Sequence, residues 1–206
     1  MTYRYPDAIL AVFCKAPIVG EVKTRLMPEL SAQQAADVHV LLTRRLLAWL
    51  DQAQICPITL WCSPDCSHPF FQACAAEYGV SLKQQKGSDL GARMQDAIAS
   101  HLTESNLVLL IGCDSPSVTA SDVSEMIENL MSGDDVVVAP AEDGGYVMIG
   151  CSGDYPLLFS AMTWSTVTVF DNSCQSADHA GIQLSTIKMQ WDVDNFNDWQ
   201  RFCALE

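Results

Sequence analysis

The sequence predicts an α/β domain with a largely parallel sheet. Short apolar runs of strand length alternate with longer segments of helical periodicity. The most apolar run, Leu107–Ile111, has the continuous character of a central strand that is covered on both faces. A chain of 206 residues suits one domain with a substantial core, and we expect that domain to span residues 1–206.

The first half of the chain predicts three strands and three helices. Ala8–Cys14 is an apolar strand, and Ser31 opens a helix to about Ala53, because Gln34 completes a capping box and apolar residues then recur at helical spacing. The remaining elements follow the same alternation: strand Ile58–Cys62, helix Phe70–Tyr78, strand Val80–Gln84 and helix Leu90–Ser100.

The second half begins with the central strand Leu107–Ile111, and a helix over Ser121–Met131 follows. Two strands joined by a glycine-rich turn then predict a hairpin, and the last elements are a helix, a strand and a final helix. These elements are the strands Asp135–Ala141 and Tyr146–Gly150, a helix capped by Trp164–Thr166, the strand Ile182–Gln190 and the helix Phe196–Leu205.

The composition is acidic, with 11 Lys and Arg against 25 Asp and Glu and a net charge of -14. This balance argues against nucleic acid and anionic membranes as partners. Six of the 11 cations nevertheless fall in two short glycine-containing segments, which favours a local anion site over scattered surface charge. These six are Lys15, Lys23, Arg25, Lys83, Lys86 and Arg93.

The chain has no apolar run near the ~18 residues that a membrane span needs, and its first residues do not form a basic signal-peptide start. We therefore expect a cytoplasmic protein. Nine cysteines without a secretion signal indicate reduced thiols rather than a disulfide framework. Cys62, Cys66 and His68 have a spacing that suggests zinc, but no fourth ligand follows at a recognisable offset.

Carboxylates follow two of the predicted strands. Asp114 comes directly after the central strand, where open α/β sheets bind ligands, and is the first catalytic candidate, although an aspartate beside Ser115 and Pro116 also suits a turn or helix cap. Asp192 and Asp194 are separated by one residue and would point the same way in an extended segment, so either could reach a metal held by Asp114. Asp194 could instead cap the final helix.

The turn Glu142–Gly145 contains Asp143 and two glycines that would let the backbone approach a ligand closely, although Asp-Gly-Gly also forms an ordinary turn. The four histidines carry no motif, and the sequence contains no arrangement typical of a nucleophilic hydrolase.

The ordered motifs resemble a family of small bacterial glycosyltransferase-like transferases that is similar to 2-phospho-lactate guanylyltransferase, within the nucleotide-diphospho-sugar transferase superfamily (GT-A fold). The resemblance covers Ala8 to about Phe202. Its motifs are Lys15-x-Pro17-x-x-Gly20-x-x-Lys23-Thr24-Arg25-Leu26, Gly91-x-Arg93-Met94, Gly112-x-Asp114-x-Pro116, Asp143-Gly144-Gly145-Tyr146 and Asp192-Val193-Asp194.

The resemblance implies a single Rossmann-like domain of three layers with a mixed, mostly parallel sheet. It implies that Lys15–Arg25 meets nucleotide phosphates, that Gly87–Arg93 lies near the base and ribose, and that Asp114 and Asp194 hold Mg²⁺ or Mn²⁺. The nucleotide-binding set carried over is Lys15, Pro17, Gly20, Lys23, Thr24, Arg25, Gly87, Gly91, Arg93, Gly144 and Gly145, and the catalytic set is Lys23, Arg25, Asp114 and Asp143.

Three functions follow from this resemblance. The favoured one transfers a nucleotidyl group from a nucleoside triphosphate to a small phosphorylated or hydroxylated acceptor. The second transfers a sugar from a nucleotide sugar, with Asp143 as base. The third is a nucleotide-binding protein without chemistry. The chain has Cys113-Asp114-Ser115-Pro116 in place of the Asp-x-Asp common in glycosyltransferases of this fold, and it lacks the glycine-rich pattern of many sugar nucleotidyltransferases.

Overall fold

The computed structural model describes residues 2–160, 162–164 and 166–205. The predicted domain limits Met1 and Glu206, and Ser165 of the predicted helix cap, lie outside these residues. In these residues seven strands form one sheet: β1 (Ala8–Lys15), β2 (Ile58–Ser63), β3 (Ser81–Gln84), β4 (Leu107–Gly112), β5 (Val136–Pro140), β6 (Tyr146–Cys151) and β7 (Leu184–Thr186). The helices are α1 (Ala32–Ala53), α2 (Pro69–Tyr78), α3 (Leu90–Leu102), α4 (Ala120–Met131), α5 (Val169–Ala180) and α6 (Phe196–Cys203).

The strand order is β3-β2-β1-β4-β6-β5-β7, so β4 lies at the centre of the sheet as predicted. β1 runs parallel to β2 and β4, β2 to β3, and β5 to β7, whereas β6 runs antiparallel to β4 and β5. The fold class, an α/β domain with a mostly parallel mixed sheet, is confirmed. None of the described helices combines the length and the apolar character that a membrane crossing requires.

The sheet is covered on both faces because successive residues of its central strands point to opposite sides. Leu10 and Val12 of β1 pack with α1 and α4, while Ala11 and Phe13 pack with α3 and α5. A third apolar cluster lies beyond the sheet and joins the loop after β1 to α1 and to the segment before α6. Its buried members are Leu26, Ala35, Val38, Leu42, Trp191, Val193 and Phe202.

Helix starts follow the predicted capping rules in α1 but not in α5. Ser31 accepts a hydrogen bond from the backbone of Gln34, whose side chain accepts one from the Ser31 N–H. The predicted cap at Trp164–Thr166 is wrong, because α5 begins at Val169, after Thr168. The Thr166 hydroxyl donates to the Thr163 carbonyl within the preceding turn instead.

The predicted strand Ile182–Gln190 is shorter, since β7 covers only Leu184–Thr186. Its partner β5 ends at Pro140, which has no N–H with which to continue a ladder, and the pairing of β5 with β6 shifts register at Ala139 and Pro140. The chain returns to the sheet only at an isolated bridge between Gln190 and Ala141.

A buried histidine joins α3 to β2. The Trp61 indole N–H donates to His101 Nε2 at 3.0 Å, and the ring of His101 stands edge-on to that of Trp61. His101 is 1% exposed, and its Nδ1 is buried without a hydrogen-bond partner. Burial, and then the charge of Lys83, lower the pKa of His101 from 6.5 to about 4. The folded protein therefore keeps this imidazole neutral.

This histidine should make the protein less stable in mild acid. Between pH 6.5 and about 4 the unfolded chain binds a proton that the folded chain excludes, so the free energy of unfolding should fall as the pH falls through this range. The full loss corresponds to about 3 kcal/mol. Urea unfolding at several pH values measures it. His101→Gln, which keeps an acceptor for Trp61, should flatten the decline, and His179→Gln, at an exposed site, should not. An equal decline in wild type and His101→Gln would contradict this account.

Candidate active site

The cationic loop after β1 and the carboxylates after β4 meet at the carboxyl ends of two neighbouring central strands. Residues there in open parallel sheets are well placed to bind ligands. The loop is held by its apolar residues, because Val22 is 4% exposed and Leu26 is fully buried in the third cluster. A 3₁₀-helix, Thr24–Leu26, completes the loop.

Lys23 is the residue of this loop that turns inward. Its backbone adopts a left-handed conformation with φ of 49°, and its side chain is only 7% exposed. The ammonium donates to Asp114 Oδ2 at 2.7 Å and to the Val193 carbonyl at 2.5 Å. Lys23 therefore joins the loop, the end of β4 and the segment before α6.

The Lys23–Asp114 pair is ionised on both sides. Burial lowers the pKa of Lys23, but the charge and hydrogen bond of Asp114 outweigh it, so the pKa is raised. Burial likewise raises the pKa of Asp114, but Lys23 outweighs it and the pKa is lowered. The pair is thus a fixed arrangement of opposite charges, with the ammonium buried and the carboxylate partly exposed.

A second ion pair crosses the same site from Arg25 to Asp194. The backbone places Asp194 there, because the Val193 N–H donates to the Asp114 carbonyl at 3.0 Å. Asp194 does not cap the last helix. Asn195 occupies the N-cap of α6 and accepts from the backbone of Asn197 and Asp198. The capping alternative for Asp194 is therefore wrong, and its carboxylate is paired with the cationic loop.

Asp192 adds a third carboxylate to this group. Its pKa is raised to about 7, first by burial and then by the charge of Asp114, with the Lys23 charge opposing. Asp192 is therefore a poorly solvated carboxyl group beside the Asp114 carboxylate.

Two adjoining cavities meet at Asp114. The first, here the loop cavity, has a volume of about 350 Å³ and is lined by the predicted residues Lys15, Lys23, Thr24, Arg25, Asp114 and Asp194. The second, here the hairpin cavity, has a volume of about 220 Å³ and reaches Asp143, Gly145, Tyr146, Trp164 and Asp192. Asp114 lies between a cationic compartment and one lined by acidic and aromatic side chains.

The turn between β5 and β6 forms one wall of the hairpin cavity. Asp143 Oδ1 accepts from the Gly145 N–H at 2.9 Å, which fixes the turn. Gly144 has φ of 88°, and a side chain there would collide with the backbone of Val167. The Gly144 carbonyl accepts the N–H of Phe170 in the first turn of α5. Gly144 therefore allows close packing of the turn against α5.

The predicted segment Gly87–Arg93 lies beside the loop cavity, which Gln85 and Leu90 reach. Gly87 has φ of 147° and lies against the backbone of Ala92 and Arg93. A side chain at Gly91 would collide with the ring of Trp164, and the Arg93 guanidinium donates to the Gly87 carbonyl at 3.3 Å. Neither glycine, nor Arg93, nor Pro17, Gly20 or Gly144, lines either cavity.

Sequence reasoning missed His39, which lines the loop cavity from α1. Its Nε2 lies 2.9 Å from the Lys15 carbonyl and 3.6 Å from Cys14 Sγ. The only available signal was periodicity, since His39 lies four residues after the buried Ala35 and three before the buried Leu42.

Solved structures with this fold include transferases. The chain is similar to a protein of Desulfovibrio desulfuricans G20 assigned as a nucleotide-diphospho-sugar transferase, with 25% identity and a TM-score of 0.86 over 96% of this chain and 86% of that one. The prediction of a transferase of the nucleotide-diphospho-sugar transferase superfamily is confirmed.

Two further structures share the fold at lower identity. CMP:2-keto-3-deoxy-manno-octonic acid synthetase complexed with CTP has 11% identity and a TM-score of 0.59, over 97% of this chain and 98% of that one. The 4-diphosphocytidyl-2C-methyl-D-erythritol synthase of Anaerococcus prevotii DSM 20548 has 10% identity and a TM-score of 0.63, over 97% and 98%.

A comparison with curated proteins finds no match. One family model matches residues 46–166, more than half of the chain, from α1 to the segment before α5. The chain therefore belongs to the family described as "uncharacterized protein conserved in bacteria" (DUF2064).

Proposed function

We propose that the protein is a metal-dependent nucleotidyltransferase that transfers a nucleotidyl group from a nucleoside triphosphate to a small phosphorylated or hydroxylated acceptor. Two ion pairs, Lys23–Asp114 and Arg25–Asp194, are the main support for this proposal. They join the cationic loop to two carboxylates in one cavity. The nine free thiols suit the reducing cytoplasm, where we place the reaction.

The cationic loop is the proposed triphosphate site. Lys15 is exposed at the end of β1 and lines the loop cavity, and Lys23 and Arg25 bring two further positive charges. Arginine suits bidentate contact with phosphate, whereas lysine acts as a point charge. Lys23 and Arg25 would exchange their carboxylate partners for the β- and γ-phosphates. Gly87–Arg93, beside this cavity, would lie near the base and ribose.

The carboxylates are the proposed metal site. Carboxylate oxygens are the ligands that Mg²⁺ and Mn²⁺ prefer, and Asp114 and Asp194 both line the loop cavity. Asp114 and Asp194 would hold the ion once their lysine and arginine partners turn to phosphate. The bound ion would neutralise charge on the α-phosphate and orient it for attack.

The hairpin cavity is the proposed acceptor site, with Asp143 and Tyr146 shaping it. An acceptor oxygen would attack the α-phosphorus, the bond between that phosphorus and the bridging oxygen would break, and pyrophosphate would leave. Lys23 and Arg25 would balance the charge that builds on the leaving group. A well-placed donor of this kind contributes about 3 to 4 kcal/mol to transition-state stabilisation.

A second candidate is sugar transfer from a nucleotide sugar. The assignment of the Desulfovibrio protein favours it, and so does the exposed Asp143, which could act as base for an acceptor hydroxyl. The same cavities and the same ion would then serve a diphosphate leaving group.

Product analysis separates the two candidates. The protein is incubated with Mg²⁺, each nucleoside triphosphate or nucleotide sugar, and a panel of phosphorylated and hydroxylated acceptors. Pyrophosphate release supports nucleotidyl transfer, and release of a nucleoside diphosphate supports sugar transfer. If neither product forms although the nucleotide binds, both candidates are wrong and the protein only binds nucleotides.

Arg25→Ala should weaken triphosphate binding about 10-fold to 100-fold, because it removes charge-assisted hydrogen bonds to phosphate. Binding of the matching nucleoside should change little. Calorimetric titration measures both affinities. The matched control is Arg4→Ala, whose guanidinium is similarly exposed and is paired with Glu128, before the amino end of β1 and away from the site. If Arg25→Ala weakened the binding of triphosphate and of nucleoside equally, the loop would not contact the phosphates.

Asp114→Asn should remove the Mg²⁺ dependence of triphosphate binding and leave the fold intact, because the amide oxygen can still accept from Lys23. Titrations with and without Mg²⁺ measure the dependence, and circular dichroism monitors the fold. Asp143→Asn, on the acceptor side, should keep the dependence. If Asp114→Asn instead lost its cooperative unfolding transition, while the triphosphate affinity per folded molecule was unchanged, Asp114 would be a structural residue.

A further inference from the structure

A cluster of soft ligand atoms lies beneath the proposed nucleotide site. Cys14 of β1, Cys113 after β4 and His39 of α1 place their two Sγ atoms and a ring nitrogen within 4.8 Å of one another. All three residues are buried, with exposures of 1%, 5% and 5%. The sheet creates the cluster, because β1 and β4 are parallel neighbours whose pairing ends at Phe13 and Gly112, one residue before each cysteine.

The donor spacing is that of a tetrahedral metal site. Zinc binds sulfur at about 2.3 Å and imidazole nitrogen at about 2.0 to 2.1 Å, so tetrahedral angles place these two ligand atoms about 3.5 Å apart. Cys14 Sγ and His39 Nε2 are 3.6 Å apart. Thr43 Oγ1, one turn after His39 in α1, also lies 3.6 Å from Cys14 Sγ. Little movement would be needed for one ion to meet the sulfur and the nitrogen.

The charge of such a site suits its burial. Two thiolates and a neutral imidazole around a divalent ion have no net charge, so the complex avoids the cost of an uncompensated charge in the interior. Thiolate and imidazole ligands select zinc-like ions, whereas Mg²⁺ prefers oxygen. The cluster is therefore chemically distinct from the neighbouring carboxylates.

The ion has a route to the cluster. All three residues line the loop cavity, together with Lys15, Lys23 and Arg25, although little of their surface is exposed. An ion could enter through this cavity without opening the core, and the fourth coordination position would face either Thr43 or the cavity.

We propose that Cys14, His39 and Cys113 form a binding site for a zinc-type divalent cation, separate from the proposed Mg²⁺ site. Binding releases both thiol protons. The imidazole places its remaining proton on Nδ1, Nε2 binds the ion, and the contact of Nε2 with the Lys15 carbonyl is lost. The proposal does not depend on the proposed transferase reaction, and its test uses no substrate.

Cobalt titration tests the site, since Co²⁺ replaces Zn²⁺ and reports thiolate ligation through an intense near-ultraviolet charge-transfer band. The reduced, chelator-treated full chain is titrated in excess Mg²⁺, which occupies carboxylate sites. We expect one equivalent of Co²⁺ with this band and with the visible bands of tetrahedral cobalt, and we expect Zn²⁺ to displace it. Cys14→Ala and Cys113→Ala should weaken binding by at least about 100-fold, more than the loss of an outer partner of a metal ligand.

Two further variants keep the test decisive. His39→Gln should also weaken binding by at least about 10-fold. This variant preserves an N–H donor for the Lys15 carbonyl, so it tests the site even if the cysteine variants fail to fold. Cys62→Ala is the matched control, because Cys62 is buried on β2 opposite Cys14 but lies outside the cluster. It should leave binding unchanged. No thiolate band in the wild type, a band that survives Cys113→Ala, or a band lost in Cys62→Ala would each overturn the proposal.

Discussion

The site depends on the ion pair between Lys23 and Asp114. A buried ammonium and a carboxylate are each costly to remove from water, and together they keep both charges in place. The same ammonium also donates to the Val193 carbonyl, so one side chain holds three segments that are distant in the sequence. The ion pair thus adds a charged link to the backbone hydrogen bond between Val193 and Asp114, which also holds the segment before α6 at the end of β4.

Apolar packing supports the pair from beneath. Leu26 follows Lys23 by three residues, Val193 precedes Asp194, and both are buried in the cluster on α1. The loop and the acidic segment therefore share one anchor. On the far side, Arg201 of α6 pairs with Glu142 of the β5–β6 turn and lies over the ring of Trp191. The loop after β1 and the β5–β6 turn, which lie on either side of the site, are thus both held to the segment around Asp192 and Asp194.

The sequence predicted β1, β2, β4, β5 and β6 well because each is a local apolar run, and it predicted α1 well because this helix has its own period and cap. It also singled out Lys23, Arg25 and Asp114 as candidates, because loops that follow central strands bind ligands in such folds, and the structure brings these three side chains into one cavity. Local patterns misled where tertiary contacts decided the outcome. Asp194 is of a residue type that often caps helices. In the structure, however, the neighbouring Asn195 caps α6, and Asp194 pairs with Arg25.

Other features had no local sign. His39 is 5% exposed and the apolar Leu41 is 47% exposed, so the buried face of α1 differs from the one that hydropathy alone favours. Cys14 and Cys113 are 99 positions apart and meet only because β1 and β4 are neighbours. The raised pKa of Asp192 likewise results from burial and from the nearby charge of Asp114, and neither can be seen in the sequence.

We propose that the cationic loop and the carboxylates together bind a metal–nucleotide complex. The most direct test is thermal unfolding of the wild-type protein with each nucleoside triphosphate, diphosphate and nucleotide sugar, with and without Mg²⁺. A ligand at about 100 times its dissociation constant adds about 2.7 kcal/mol to the stability, which raises the Tm by several degrees. We expect such a rise with a triphosphate, and only when Mg²⁺ is present. No rise with any nucleotide, or one that does not depend on the metal, would contradict it.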